Sequence, residues 1–297
     1  MSSTSRQAVI VLGMHRSGTS ALAGTLARLG FGLPKTPLDA SPDNPEGFYE
    51  SWPVVEMNFQ FLMTAKCAWN VTFNLSPEVF FRQFDPRKHN ALITLLQNEF
   101  GDTGSFVLKD PRMCLLLPVW LPALQRLAPS LPMLLMLRHP AEIVQSHAAR
   151  NGRPEWETLL NWMHHMLEAE YITRNVPRAL LQYAGLLRDW RATLGPALRR
   201  AGITPPRTLE QAAPQVDAFL SNTLRHHEVT EAGARIGPPQ YAPMIDATWR
   251  ALSALASNPQ DNFALGTLDD LRGNLALIRQ DLMDRGAEVV MESPVSF

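Results

Sequence analysis

The chain has 297 residues, of which 45% are hydrophobic and 19% charged, enough apolar material for one large core or a core with an appended subdomain, which excludes a disordered chain. Its 27 Lys and Arg against 28 Asp and Glu leave a formal charge of -1, so nothing global draws it to nucleic acid or an anionic membrane, and any anion must be held locally. The longest apolar runs, Ala8 to Leu12 and Leu131 to Leu137, are far short of the roughly 20 residues of a membrane helix; with a polar start, Ser2 to Gln7, that lacks a secretory pattern, the expectation is a soluble, cytoplasmic protein.

Ala8 to Leu12 reads as a fully buried strand, followed by a glycine-bearing turn and a helix from Thr19 to Leu29 that Gly30 ends. Helical patterns follow at Val54 to Lys66 and Arg87 to Phe100, then a second strand, Ser105 to Leu108, running into Lys109-Asp110-Pro111, and a helix over Leu117 to Leu127. A third strand, Met133 to Leu137, precedes Arg138-His139-Pro140 and a helix over Ala141 to Ala149, with Pro140 at the first helical position, where its missing N–H costs nothing. Glu155 to Arg174 reads as a helix, Ala179 to Tyr183 as a fourth strand, and Leu186 to Arg199 as a helix. Beyond Ala201 only helices are evident, at Leu209 to Asn222, Met244 to Ala256 and Leu268 to Arg285. Strands alternating with helices predict an α/β fold, a P-loop-like three-layer arrangement with a central parallel sheet. The expected division is a core over 1–200 and a mainly helical extension over 201–297, packed on that core. The two cysteines, Cys67 and Cys114, sit in mostly apolar sequence away from any partner at ligand spacing and are expected as reduced core thiols.

Chemistry concentrates in two stretches. In Gly13-Met14-His15-Arg16-Ser17-Gly18-Thr19-Ser20 a strand, a loop bounded by glycines and a helix start place backbone N–H groups around one point, a geometry that binds phosphate or sulfate. The glycine spacing matches a Walker A loop, but Thr19 stands where that motif has Lys, so Arg16 is the loop's cation. The second stretch, Leu137-Arg138-His139-Pro140 through Ser146, ends a buried strand in Arg138 where nucleoside triphosphatases often carry a Mg²⁺-binding Asp. A guanidinium fork with a hydroxyl two turns on suits a terminal phosphate.

These two segments resemble the 5'-phosphosulfate loop and the 3'-phosphate motif of sulfotransferases that use 3'-phosphoadenosine 5'-phosphosulfate (PAPS). Leu108-Lys109-Asp110-Pro111-Arg112 is similar to the Lys-Asp-Pro motif of tyrosylprotein and several bacterial members, Gly47-Phe48-Tyr49-Glu50 looks like a bacterial segment whose acidic residue faces the acceptor, and Phe219-Leu220 through His227 looks like a later one. The chain departs from the cytosolic branch, which usually has Lys where Arg16 stands; it also lacks the acidic residue after Tyr183 and the late basic and glycine motif.

The resemblance implies a metal-free, in-line sulfuryl transfer from PAPS to a hydroxyl or amine acceptor, releasing 3'-phosphoadenosine 5'-phosphate; bacterial relatives suggest a carbohydrate or glycoconjugate acceptor, with a peptide tyrosine or a small natural product as alternatives. It implies that His15, Arg16, Ser17, Gly18, Thr19 and Ser20 hold the 5' end of the nucleotide, that Arg138 and Ser146 hold the 3'-phosphate, and that Tyr183 contacts the nucleotide. Lys109 and Arg16 would stabilise charge on the sulfuryl, and Glu50, preferred over Glu46, would be the general base. His139 flanks the second motif, His164-His165 carries no assigned role, and Trp52, Phe59, Phe61 and Trp69 are candidate cleft aromatics. The competing readings are a P-loop nucleotide-dependent kinase, which the missing loop Lys disfavours, and a noncatalytic nucleotide-binding protein.

Overall fold

Four apolar runs form β1 (Ala8–Leu12), β2 (Phe106–Lys109), β3 (Met133–Leu137) and β4 (Arg178–Gln182), all parallel, in the order β2-β1-β3-β4. The computed structural model describes residues 6–40, 46–67, 88–151, 154–223 and 240–284. Ile10 lies opposite Leu108 on one side and Met133 on the other, which fixes β1 in the middle of the sheet. Period-2 alternation sends neighbouring residues to opposite faces. Ala8, Ile10 and Leu12 therefore join one hydrophobic cluster, while Val9 and Val11 join the other. Because both faces are covered, the strands read as continuous apolar runs rather than alternating ones.

The helices are α1 (Thr19–Arg28), α2 (Trp52–Thr64), α3 (His89–Phe100), α4 (Met113–Leu127), α5 (Pro140–Asn151), α6 (Glu155–Thr173), α7 (Tyr183–Arg188), α8 (Trp190–Arg200), α9 (Leu209–Thr223), α10 (Ala242–Ser257) and α11 (Asn262–Asp284). Those from α2 to α6, with α10 and α11, contribute to the Ile10 face; α1, α7, α8 and α9 cover the Val9 face. The fold is thus α/β, with a central parallel sheet between two helical layers and a helical C-terminal region. Among the described residues past 200 there is no strand, and no described helix is long and apolar enough to cross a membrane.

Two elements differ from their sequence expectation for identifiable reasons. The fourth helix begins at Met113 rather than Leu117 and runs through Pro118 and Pro122. Each proline removes one intrahelical donor, but Met113 to Leu117 are all buried, and apolar packing holds the added turn. The expected helix over Leu186 to Arg199 is two helices, because Asp189 leaves helical geometry and its carboxylate accepts the Ala192 N–H at 3.0 Å, capping α8.

Ion pairs fasten the last helix to the core. Arg272 reaches Glu168 of α6 at 2.7 Å, and Arg174, just past α6, pairs with both Glu170 and Asp269 at 2.7 Å. Ile245, Leu252 and Leu268 join the same hydrophobic cluster as Ile10 and Leu135.

Candidate anion site at the end of the sheet

With β1 between β2 and β3, the connections leaving the carboxyl ends of β1 and β3 diverge, the place where open α/β sheets form ligand crevices. The first connection is the Gly13 to Gly18 loop. Gly18 caps α1 at φ 87°, and a Cβ there would lie 2.2 Å from the Tyr183 ring, so both the left-handed backbone and the close approach demand glycine. Arg16 also sits at φ 68°. The first-turn N–H groups of α1 have no intrahelical acceptors. Ser17 Oγ is fully buried beside them and has no hydrogen-bond partner, so this loop carries donors in excess of what the fold uses.

At the end of β3 a second group of side chains meets that loop. Arg16 donates through Nε to Ser146 Oγ at 2.7 Å, and Arg138 donates through Nη1 to the Arg16 carbonyl at 2.9 Å. Arg138 also pairs with Glu142 one helical turn on, at 2.8 Å, and its guanidinium lies 4.8 Å from the centre of the Tyr183 ring. Burial raises the Tyr183 phenol above its usual pKa, although the Arg138 charge opposes this. Arg16, Arg138, Ser146 and Tyr183, from four separate elements, are thus one cluster.

A third group stands at the end of β2. Lys109 has the parity of Val107, whose side chain joins the α1 face. Its ammonium accordingly reaches the first turn of α1, donating to Ser20 Oγ and the Phe48 carbonyl, each at 3.2 Å, and to Glu50 Oε1 at 2.5 Å. Glu50 Oε2 is 3.5 Å from Arg112 Nη1, which bonds Asp110 at 2.7 Å. Asp110 in turn accepts from Asn58 Nδ2 at 2.9 Å, and Asn58 accepts from Trp120 Nε1 at 2.8 Å. All six residues from Trp120 to Lys109 in this chain of contacts are buried. Sequence reasoning assigned no role to Arg112, Asp110, Asn58, Trp120 or Glu142. The available signal was Asp110-Pro111-Arg112, a charged run directly after a buried strand.

The other candidates separate. His15 packs edge-on against His165, ring centres 6.4 Å apart. Burial, then the Arg112, His165, His147 and Lys109 charges, hold His15 well below the ordinary histidine pKa, so its ring is neutral at pH 7 and adds no charge to the loop. Burial likewise lowers His165 to about 4, and its Nδ1 bonds the Asn161 carbonyl at 2.8 Å. His139 lies edge-on to Trp249. Glu46 lies 3.8 Å from Arg28, away from the Lys109 cluster. Phe61 is a core residue against Trp120, Phe59 lies under the Arg112 guanidinium, and Trp52 is exposed. Trp69 and Leu224 to His227 fall outside the described residues. Both cysteines are free and buried. No group of three or more His, Cys, Asp or Glu among the described residues is arranged to hold a metal.

Several solved structures are similar to this chain. Among them are the sulfotransferase domain of the Synechococcus PCC 7002 olefin synthase, at 16% identity over 92% of this chain and 95% of that one with a TM-score of 0.43; sulfotransferase STF9 from Mycobacterium avium, at 15% over 87% and 78% with 0.44; and the sulfotransferase domain from the curacin biosynthetic pathway, at 11% over 76% and 94% with 0.39. Likeness of this degree assigns no activity to the chain. No protein-family model matches it, and no curated protein matches it.

Proposed function

We propose that the chain transfers a sulfuryl group from PAPS to a hydroxyl or amine acceptor, a carbohydrate or glycoconjugate, in line and without a metal. The observation that carries this reading is the placement of cations on both sides of the α1 N-terminus, Arg16 and Arg138 toward β3 and Lys109 toward β2, around a loop with a buried, unpartnered Ser17 hydroxyl. This placement supports a ligand carrying two anionic groups, held by adjoining residues of one cluster. Ser17 to Ser20 and Arg16 would hold the 5'-phosphosulfate, Arg138 and Ser146 the 3'-phosphate, and Tyr183 would face the nucleotide beside Gly18.

PAPS, when bound, supplies an activated sulfuryl group on a phosphate leaving group. Lys109 stabilises the negative charge that develops around that group, a task for a preorganised cation in a water-poor site. Glu50 already accepts from Lys109, and its second oxygen faces Arg112. As base it takes the acceptor proton on a remaining lone pair while the acceptor oxygen or nitrogen bonds to sulfur and the bond from sulfur to the leaving phosphate breaks.

The test is a thermal-shift comparison without added Mg²⁺. 3'-Phosphoadenosine 5'-phosphate is expected to raise Tm more than ADP at equal concentration, and equal shifts would remove the 3'-phosphate site. An acceptor screen with labelled PAPS then separates a transferase from a protein that only binds the nucleotide, which would show the shift and no transfer.

A further inference from the structure

The residues between Glu46 and Ser51 hold the Lys109 end of the site, and their conformation is unusual. Phe48 and Glu50 are two apart, and the carbonyl of the first and the carboxylate of the second both meet the Lys109 ammonium. Between them Tyr49 adopts φ 58°, a left-handed conformation that crowds the Cβ of a bulky residue against its own backbone. Glycine would adopt it freely, so the sequence keeps a tyrosine here against its backbone preference. Surrounding structure must over-determine such a residue for it to persist.

That surrounding structure comes from α1 and α9. The Tyr49 ring meets Phe219 of α9 edge to face, centres 6.3 Å apart at 83°. Arg28 of α1 lies 3.7 Å over the Phe219 ring and donates to Tyr49 Oη at 3.3 Å and to the Gly24 carbonyl at 2.9 Å. Both rings rest on Gly24, where a Cβ would come within 2.4 Å of Phe219 and 2.9 Å of Tyr49. The bare helix surface at Gly24 is therefore a seat for two aromatic rings. An alanine, otherwise favoured over glycine in a helix, has no room there.

We propose that Phe219 and Tyr49, seated on Gly24 and clamped by Arg28, are positioning residues that lock the 46–50 turn so that the Phe48 carbonyl and Glu50 hold Lys109 against the first turn of α1. A helix beyond the last strand thereby sets the orientation of the lysine. The inference rests on the proposed role of Lys109 for its catalytic consequence, whereas its structural content stands independently.

Two variants of the full chain test it, Gly24→Ala and Phe219→Leu. Their first readout is the rate at which a small acetylating reagent modifies Lys109, followed by mass spectrometry; the second is kcat and the KM for PAPS with a working acceptor. Both variants are expected to raise Lys109 modification about tenfold and to lower kcat about tenfold with KM for the nucleotide within about twofold, the signature of misplacement rather than lost binding. Wild-type modification rates in a cooperatively folded Gly24→Ala protein would overturn the clamp; if that variant does not fold, Phe219→Leu decides it on the same readouts. A wild-type protein that transfers nothing to any acceptor would overturn the sulfuryl-transfer reading alone, since Lys109 modification still decides the clamp.

Discussion

At the end of β2 two cations, Lys109 and Arg112, meet two carboxylates, Glu50 and Asp110, all buried. At the end of β3, Arg16 meets a hydroxyl and Arg138 meets a carbonyl as well as Glu142; Arg138 and Ser146 are buried, and Arg16 and Glu142 half-buried. The first arrangement is charge-matched and fixes its members in place. The second pairs two guanidinium groups with a hydroxyl, a carbonyl and a single carboxylate, so its cations outnumber its anions among these contacts. The proposed transfer would use both kinds of region, one to hold the nucleotide and one to act on its sulfuryl end.

The largest expected effect breaks the matched region. Asp110→Ala removes the acceptor of the Arg112 side chain, of the Arg112 N–H and of Asn58, and should cost about 3–5 kcal/mol in urea unfolding because it leaves a buried cation underpaired. Glu142→Ala leaves Arg138 its bond to the Arg16 carbonyl and should cost less, about 1–3 kcal/mol; similar losses at the two positions would erase the contrast. Next in size, Lys109→Ala should lower turnover on the order of a hundredfold while nucleotide affinity changes only severalfold. Arg138→Gln should do the reverse, weakening 3'-phosphoadenosine 5'-phosphate more than ADP in the same thermal-shift assay. A pure binding defect in the lysine variant would put both regions in the same role.

The smallest effect concerns the histidines behind the matched region. His165 is neutral in the folded chain down to about pH 4, against an ordinary value of 6.5. Between those values the unfolded chain binds more protons, so stability falls as pH drops from 6.5 toward 4 and is insensitive to this group above 6.5. Measured Tm should decline over that window. A flat Tm would mean that His165 is charged beside Arg112.

Legibility in the sequence followed the range of the interactions. β1 and β3 were readable to the residue, since five consecutive buried apolar side chains leave no ambiguity of period. β4 begins one residue before the apolar pattern predicts, at Arg178, a buried cation whose partner, Glu170, lies on the preceding helix. The loop glycines, Arg16, Arg138 and Ser146 were legible because backbone geometry ties them to strand ends and helix starts. The contacts among Glu50, Arg112, Asn58 and Trp120 span 62 residues in sequence, and no periodicity relates such positions. Tyr183 was read on resemblance alone; its fit over Gly18 is a tertiary contact that no local pattern encodes.

Beneath the Gly13 to Gly18 loop, the Gly13 N–H donates to Cys114 Sγ at 3.1 Å. Burial pushes that thiol up to about 12 and the Cys67 thiol up to about 11. Since the thiolate is the reactive form, both native cysteines should be silent toward maleimides at neutral pH while the chain is folded. The unmodified sequence is therefore a ready background for attaching a fluorophore at a single chosen position. A cysteine in place of Leu277, 71% exposed on the outer side of α11, would take the dye alone and report on the C-terminal helices without any native thiol being removed.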